Sequence, residues 1–173
     1  GLLSQLSWSQ FEQVMAPKIA GTWHLHQATQ ALPLDFFVCF SSIAALIGSP
    51  GQGNYAAANS FMDALMDTRR AQGLPGLSLN WGPWANAGMA AELTDNRQDR
   101  LTSRGVHLLD SSVSLKLMGQ LMALPKAAMP TAQVGVCAIN WEKFMGQLPP
   151  GVALPVLSQF SALSTDTDRG DRL

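Results

Sequence analysis

Phe36-Phe37-Val38-Cys39-Phe40-Ser41-Ser42 is the stretch that decides the fold. The run Phe36–Phe40 is apolar on both alternating sides and rich in β-formers. A strand that is apolar on both faces is one covered on both faces, the signature of a parallel sheet. Downstream, Gly48-Ser49-Pro50-Gly51-Gln52-Gly53 reads as a loop. Residues 54–72 are helical in pattern, with Tyr55, Ala58, Phe61, Met62, Leu65 and Met66 on neighbouring faces and Gly73 as a stop. Leu77-Ser78-Leu79-Asn80-Trp81 reads as a second strand, closed by Gly82-Pro83. Residues 84–104 mix small residues with the polar run TDNRQDR and predict a mobile or surface helix pair. A helix over 110–124, capped by Asp110-Ser111-Ser112, and a third strand over 134–139 follow.

Upstream, residues 9–31 carry Phe11, Val14, Met15, Ile19, Trp23, Leu25 and Ala28 at spacings of three and four. These predict a long helix with one buried stripe, broken or restarted at Pro17 and ended by Pro33. Strands alternating with helices imply right-handed parallel crossovers, hence an α/β class with an open parallel sheet. Three strands make a poor sheet for so much apolar helix, and the first follows a long helix. The chain therefore reads as the C-terminal half of a doubly wound, Rossmann-type domain over residues 1–148, with 149–173 as a polar linker or tail. No G-x-G-x-x-G stands here in a strand–turn–helix setting, so the phosphate-binding turn is expected in the other half.

Composition narrows the function classes. Of 173 residues 47% are hydrophobic and 13% charged, ample for a buried core and too apolar for a disordered chain. Eleven basic against twelve acidic residues give a net charge of −1, which argues against an electrostatic nucleic-acid binder and a basic membrane-surface helix. No apolar stretch is long enough to span a bilayer, and GLLSQLSWSQ lacks the features of a signal peptide. Cys39 and Cys137, both in apolar runs, read as buried core thiols of a reducing, cytoplasmic setting, with no metal site. Met62, Met66, Met118 and Met122 read as core fillers, and His24, His26 and His107 as solvated or satisfied histidines.

Ligands of an open parallel sheet bind beyond the carboxyl ends of its strands. Ser42 lies at such an end, Tyr55 at the start of the next helix, and Asn59 one turn further along the same face. Tyr55 is the sole tyrosine. The two hydroxyls could converge on one carbonyl oxygen as a proton-transfer site. A tyrosine acid near neutral pH needs a cation that favours the phenolate. Lys18, one of only four lysines and set in Met15-Ala16-Pro17-Lys18 near a helix start, is the candidate. By itself a Ser–Tyr–Asn spacing is common. A capping serine, a half-buried core tyrosine and a surface lysine are its ordinary readings.

The stretch FVCFSSIAALIGSPGQGNYAAANSFMDALMDTRRAQGLPGLSLNWGPWANAGMA closely resembles the catalytic region of ketoreductase domains in modular polyketide synthases, members of the short-chain dehydrogenase/reductase superfamily. MAPKIAGTWHLH, RLTSRGVHLLDSSVSLKLMGQLM and VGVCAINWEKF extend the resemblance over roughly residues 1–145. It implies reduction of a β-ketoacyl chain, held on the phosphopantetheine of an acyl carrier protein, by NADPH, within a multifunctional enzyme of secondary-metabolite biosynthesis. It implies that Ser42 bonds the substrate carbonyl and Tyr55 gives the proton. Lys18 and Asn59 support Tyr55 through the cofactor ribose and a water relay. Tyr-Ala-Ala-Ala-Asn with an earlier lysine is the exchanged arrangement of the commoner Tyr-x-x-x-Lys pattern. Ser41, Gly82, Pro83 and Trp84 are implied at the cofactor, and Asn86 to Leu93 as a lid over the acyl chain. Ile47 stands where one stereochemical kind has tryptophan, which implies the D-configured alcohol. The first half of the domain, with its structural subdomain, is implied as a partner. The alternative is an inactive reductase-like structural subdomain or an interaction module; the joint presence of Lys18, Ser42, Tyr55 and Asn59 argues against it.

Overall fold

The computed structural model describes residues 3–85, 99, 101–125, 128–129, 131–148 and 155–158. In chain order the elements are α1 (Trp8–Met15), a π turn (Ala16–Ala20), α2 (Gly21–Thr29), β1 (Val38–Ser42), α3 (Ala44–Ile47), α4 (Gly53–Ala71), β2 (Leu77–Trp81), β3 (Val106–His107), α5 (Ser111–Ala123), β4 (Gln133–Val136), β5 (Ala138–Ile139) and α6 (Trp141–Met145). Single 3-10 turns lie at Leu3–Gln5 and Pro155–Leu157. Two compact units result: Gly1–Trp81 with Ser112–Val136, and Gly82–Ser111 with Cys137–Leu173.

In the first unit, a capping box starts α1. Ser7 accepts the Gln10 N–H, and the Gln10 side chain accepts the Ser7 N–H at 2.8 Å. At Pro17, where a break or restart is expected, the helix widens instead of stopping. Pro17 has no N–H to give, and the backbone passes through the π turn, closed by the Gly21 N–H on the Ala16 carbonyl. The buried side of α2 also differs from the apolar stripe. Thr22 and His26 are enclosed, while Trp23 and Leu25 are exposed. For His26 the reason is Arg69 of α4, fully buried, whose guanidinium needs an acceptor that tryptophan and leucine cannot offer.

The sheet has the order β1-β2-β4, all parallel. Val38 pairs with Leu77 and Ser42 with Trp81 along β1–β2, and Ser78 with Gln133 at the start of β2–β4. Every residue of β2 is buried, as a central strand covered on both faces requires. β1 opens at Val38, two residues later than Phe36, which stays exposed. Helix α4 packs on one face through Met62, Leu65 and Met66 against Cys39 and Ala132. Each such side chain contributes roughly 1.5–3 kcal/mol of burial. Met118 and Met122 are only half-buried, so they are not the core fillers expected. Helix α4 ends at Gly73, whose φ of 80° lets the Leu74 N–H return to the Arg69 carbonyl at 2.9 Å. Gly76 then lets the chain pass under α4: a Cβ there would meet the Met66 carbonyl oxygen at 2.7 Å.

The third expected strand is divided at Cys137. β4 belongs to the parallel sheet, while β5 pairs antiparallel with β3 in the second unit, Val106 opposite Ile139. Cys137, at the division, is half-buried and not a core thiol. Asn140 caps α6 by accepting the Lys143 N–H at 2.9 Å. The expected lid (residues 86–93) and nearly all of the tail (149–173) lie outside the described residues.

Arg69 Nη1 lies 3.0 Å from His26 Nδ1, its Nε donates to the Pro75 carbonyl at 2.8 Å, and its guanidinium stacks 4.0 Å from the Phe37 ring centre. Arginine can only donate, so His26 Nδ1 accepts and the ring is neutral. Burial, and then the Arg69 charge, hold His26 below its usual 6.5. Below pH 6.5 the unfolded chain takes up a proton that the folded chain refuses, so stability falls as the solution is acidified. Thermal melts between pH 7.5 and 5.5 should show this loss, and His26→Gln should flatten it.

Candidate active site

Three elements of the first unit supply the site: the carboxyl end of β1, the first turns of α4 and the π turn. Ser42 closes β1, and its Oγ accepts the Ala44 N–H at 3.2 Å, at the start of α3. Its own hydroxyl proton has no partner among the described residues. Tyr55 begins α4, where the Asn54 side chain accepts the Tyr55 N–H at 2.9 Å. The Asn54 amide also donates to the Gln10 carbonyl at 3.2 Å, which ties the start of α4 to α1.

Asn59 is fully buried one turn later. Its Nδ2 donates to the Tyr55 carbonyl at 2.7 Å, and its Oδ1 accepts from Lys18 Nζ at 3.0 Å. An ammonium only donates, so this orientation of the amide is forced. Lys18 sits on the π turn, with Nζ 5.3 Å from the centre of the Tyr55 ring. Burial lowers the Lys18 pKa below 10.5, and the Asp63 carboxylate pushes it back up. Asn59 takes one of the three ammonium protons, which leaves two for a ligand. The result is a cation, a phenol and a carboxamide in one small volume, able to hold a ribose and to give a proton.

The structure thus brings Lys18, Tyr55 and Asn59 together. Ser42 lies at the strand end, where its side chain bonds Ala44 and not Tyr55. Ser41 points the other way: it is buried, accepts from Asn80 Nδ2 at 3.0 Å and reaches the Asn59 carbonyl at 3.5 Å. Its hydroxyl is taken up inside the protein. Gly82, Pro83 and Trp84 belong to the second unit, where the Pro83 carbonyl accepts the Leu109 N–H at 2.7 Å and Trp84 bridges to Leu109.

Sequence reasoning passed over a buried polar cluster under α4. Asp63 accepts from Ser78 Oγ at 2.5 Å and from Asn80 Nδ2 and Gln133 Nε2 at 2.9 Å each. The signal was present. Asp63 follows Asn59 by four residues on the helix face that carries Tyr55, and Ser78 and Asn80 are polar in a strand expected to be buried on both faces.

Comparison with known proteins identifies the family. The family described as "KR domain" matches residues 1–86. Polyketide synthase GfsB of Streptomyces halstedii is 45% identical over 124 residues, which is 71% of this chain and 2% of that protein. Polyketide synthase GfsE of the same organism is 36% identical over 99% of this chain and 5% of its own length. The structure titled "Structure of A1-type ketoreductase" superposes with a TM-score of 0.83 at 31% identity, covering 96% of this chain and 33% of that one. The chain belongs to the ketoreductase-domain family of modular polyketide synthases. It spans a small part of these synthases and about a third of the solved ketoreductase chain. Its α/β fold with a parallel sheet is that of the ketoreductases.

Among the described residues no helix is long and apolar enough to cross a membrane, and no cluster of three or more His, Cys, Asp or Glu could hold a metal. Within this candidate site the Lys18–Asn59 bond predicts a coupled pair. Asn59→Leu should cost about 1–3 kcal/mol by leaving the half-buried ammonium without its acceptor. Lys18→Met in the same background should recover part of that loss, read as the urea midpoint of a double-mutant cycle.

Proposed function

We propose that this chain supplies the catalytic residues of a ketoreductase that reduces a β-ketoacyl group to a β-hydroxyacyl group with NADPH. The substrate is carried on the phosphopantetheine arm of an acyl carrier protein. The observation that carries this reading is the Lys18 ammonium, bonded to Asn59 and set over the Tyr55 ring. The donor set fits a nicotinamide nucleotide: two unspent ammonium protons suit ribose hydroxyls, and a phenol stands beside them.

When bound, the reduced nicotinamide supplies a hydride to the carbonyl carbon. Tyr55 gives its phenolic proton to the carbonyl oxygen, so that the product leaves as a neutral alcohol. Ser42 turns its unspent hydroxyl proton to the same oxygen and stabilises the charge that gathers there. Lys18 favours the phenolate left on Tyr55 and holds the ribose. Asn59 fixes the ammonium. The family resemblance also assigns Ser41, Gly82, Pro83 and Trp84 to the cofactor, although the Ser41 hydroxyl is committed to the interior. The rest of the domain, with its structural subdomain, supplies the remaining cofactor contacts. The free thiols of Cys39 and Cys137 suit a reducing, cytoplasmic setting.

Tyr55→Phe tests the acid directly. In the complete ketoreductase domain it should lower kcat by about 10²–10⁴-fold, with NADPH binding by fluorescence titration unchanged; full turnover would overturn the assignment. Ile47, at the end of α3, supports a D-configured product. Chiral chromatography of the alcohol checks this, and an L product would refute it.

A further inference from the structure

We propose that Asp63 and Asn80 are positioning residues for the reductase site, holding the strand end that bears Ser42 in fixed relation to the helix that bears Tyr55 and Asn59. The inference rests on the function proposed above and adds residues to it. Asp63 is 5% exposed and Asn80 wholly buried. The Asn80 amide nitrogen lies 2.9 Å from Asp63 Oδ2, 3.0 Å from Ser41 Oγ and 3.1 Å from the Ser42 carbonyl oxygen. The orientation of that amide is forced. Turned over, its oxygen would face a carboxylate and a carbonyl, both of which only accept. As it stands, Asn80 Oδ1 is buried without a partner among the described residues. The cluster bears the cost of that orphaned oxygen to keep the nitrogen where it is.

The amide thus links three elements. Asp63 belongs to α4, two turns beyond Tyr55 and one beyond Asn59. Asn80 belongs to β2, and Ser41 and Ser42 close β1. Ser41 completes the circuit by reaching the Asn59 carbonyl at 3.5 Å. A carboxylate on the catalytic helix therefore grips, through one amide, the backbone of the residue that meets the substrate carbonyl. Ser78 and Gln133 steady the carboxylate from β2 and β4 without touching Ser41 or Ser42. The charge of Asp63 is also felt at Lys18, where it helps to keep the ammonium protonated against its burial.

The test uses the complete ketoreductase domain with NADPH and a soluble β-ketoacyl thioester. Asp63→Asn and Asn80→Ser should each lower kcat by about 10–100-fold, the cost of displacing a reacting group by a fraction of an ångström or more. The NADPH dissociation constant and KM should stay within about threefold, because neither residue meets a ligand. Gln133→Ala, which loosens the carboxylate but leaves the Ser42 contact in place, should keep kcat near that of the parent. A purely structural role predicts the opposite: lower melting temperatures in all three variants and parental kcat well below those temperatures. That outcome overturns the proposal, as does a loss carried by KM alone. If one variant fails to fold, the other decides. Tyr55→Phe runs beside them: if it turns over normally, the catalytic reading itself has failed, whatever Asp63 and Asn80 show.

Discussion

A single hydrogen bond between segments 41 residues apart, from Lys18 to Asn59, is what turns a common spacing into a site. A serine at a strand end and a tyrosine at a helix start occur widely. An ammonium above the ring of that tyrosine does not. For the bond to form, the π turn carrying Lys18 must lie against the second turn of α4. The Asn54 amide secures that approach by holding the Gln10 carbonyl near the start of α4. Local chemistry at Pro17 matters as well, because the widened turn it occupies is the one that presents Lys18. Functional residues recur at such π distortions.

Helix α4 meets the sheet through two unlike surfaces. Toward its C-terminus Leu65 and Met66 pack on Cys39 and Ala132, a contact that tolerates some sliding. In its middle Asp63 meets Ser78, Asn80 and Gln133 by hydrogen bonds, which tolerate little. The apolar end supplies stability, and the polar middle supplies register. Cys39 lies between them, its thiol pushed up to about 11 by burial and by Asp63, so it stays protonated and inert beside the site.

Much of this was legible in the sequence. The buried β2 followed from period alone, and the parallel order followed from the intervening helix, but β1, expected to be covered on both faces, leaves Phe40 exposed and buries only the other side through Cys39 and Ser41. Lys18, Tyr55 and Asn59 stand out in the sequence alone, although only the family resemblance raises Lys18 above an ordinary surface lysine. What escaped was decided by partners distant in the chain. Nothing local says that His26 outranks Trp23 and Leu25 for burial; Arg69, wholly buried on α4, decides it by bonding His26. Nothing local divides the last strand at Cys137, because the pairing of Ile139 with Val106 is a choice of partner. Proline at position 17 signals a disturbed helix, yet not whether the chain breaks or widens.

The placement of lysine and asparagine follows from burial. Asn59 is wholly enclosed, between the Tyr55 carbonyl and the Lys18 ammonium. A lysine at that position would have to bury its charge there, and an isolated buried ammonium is among the most expensive groups a protein can hold. Lys18 stands instead on a half-buried turn, where desolvation lowers its pKa only in part and Asp63 returns some of the loss. A neutral amide can fill the enclosed position because both of its polar ends find partners there. Lysine on the half-buried turn and asparagine on the enclosed helix position thus leave the charge partly solvated and the amide wholly buried.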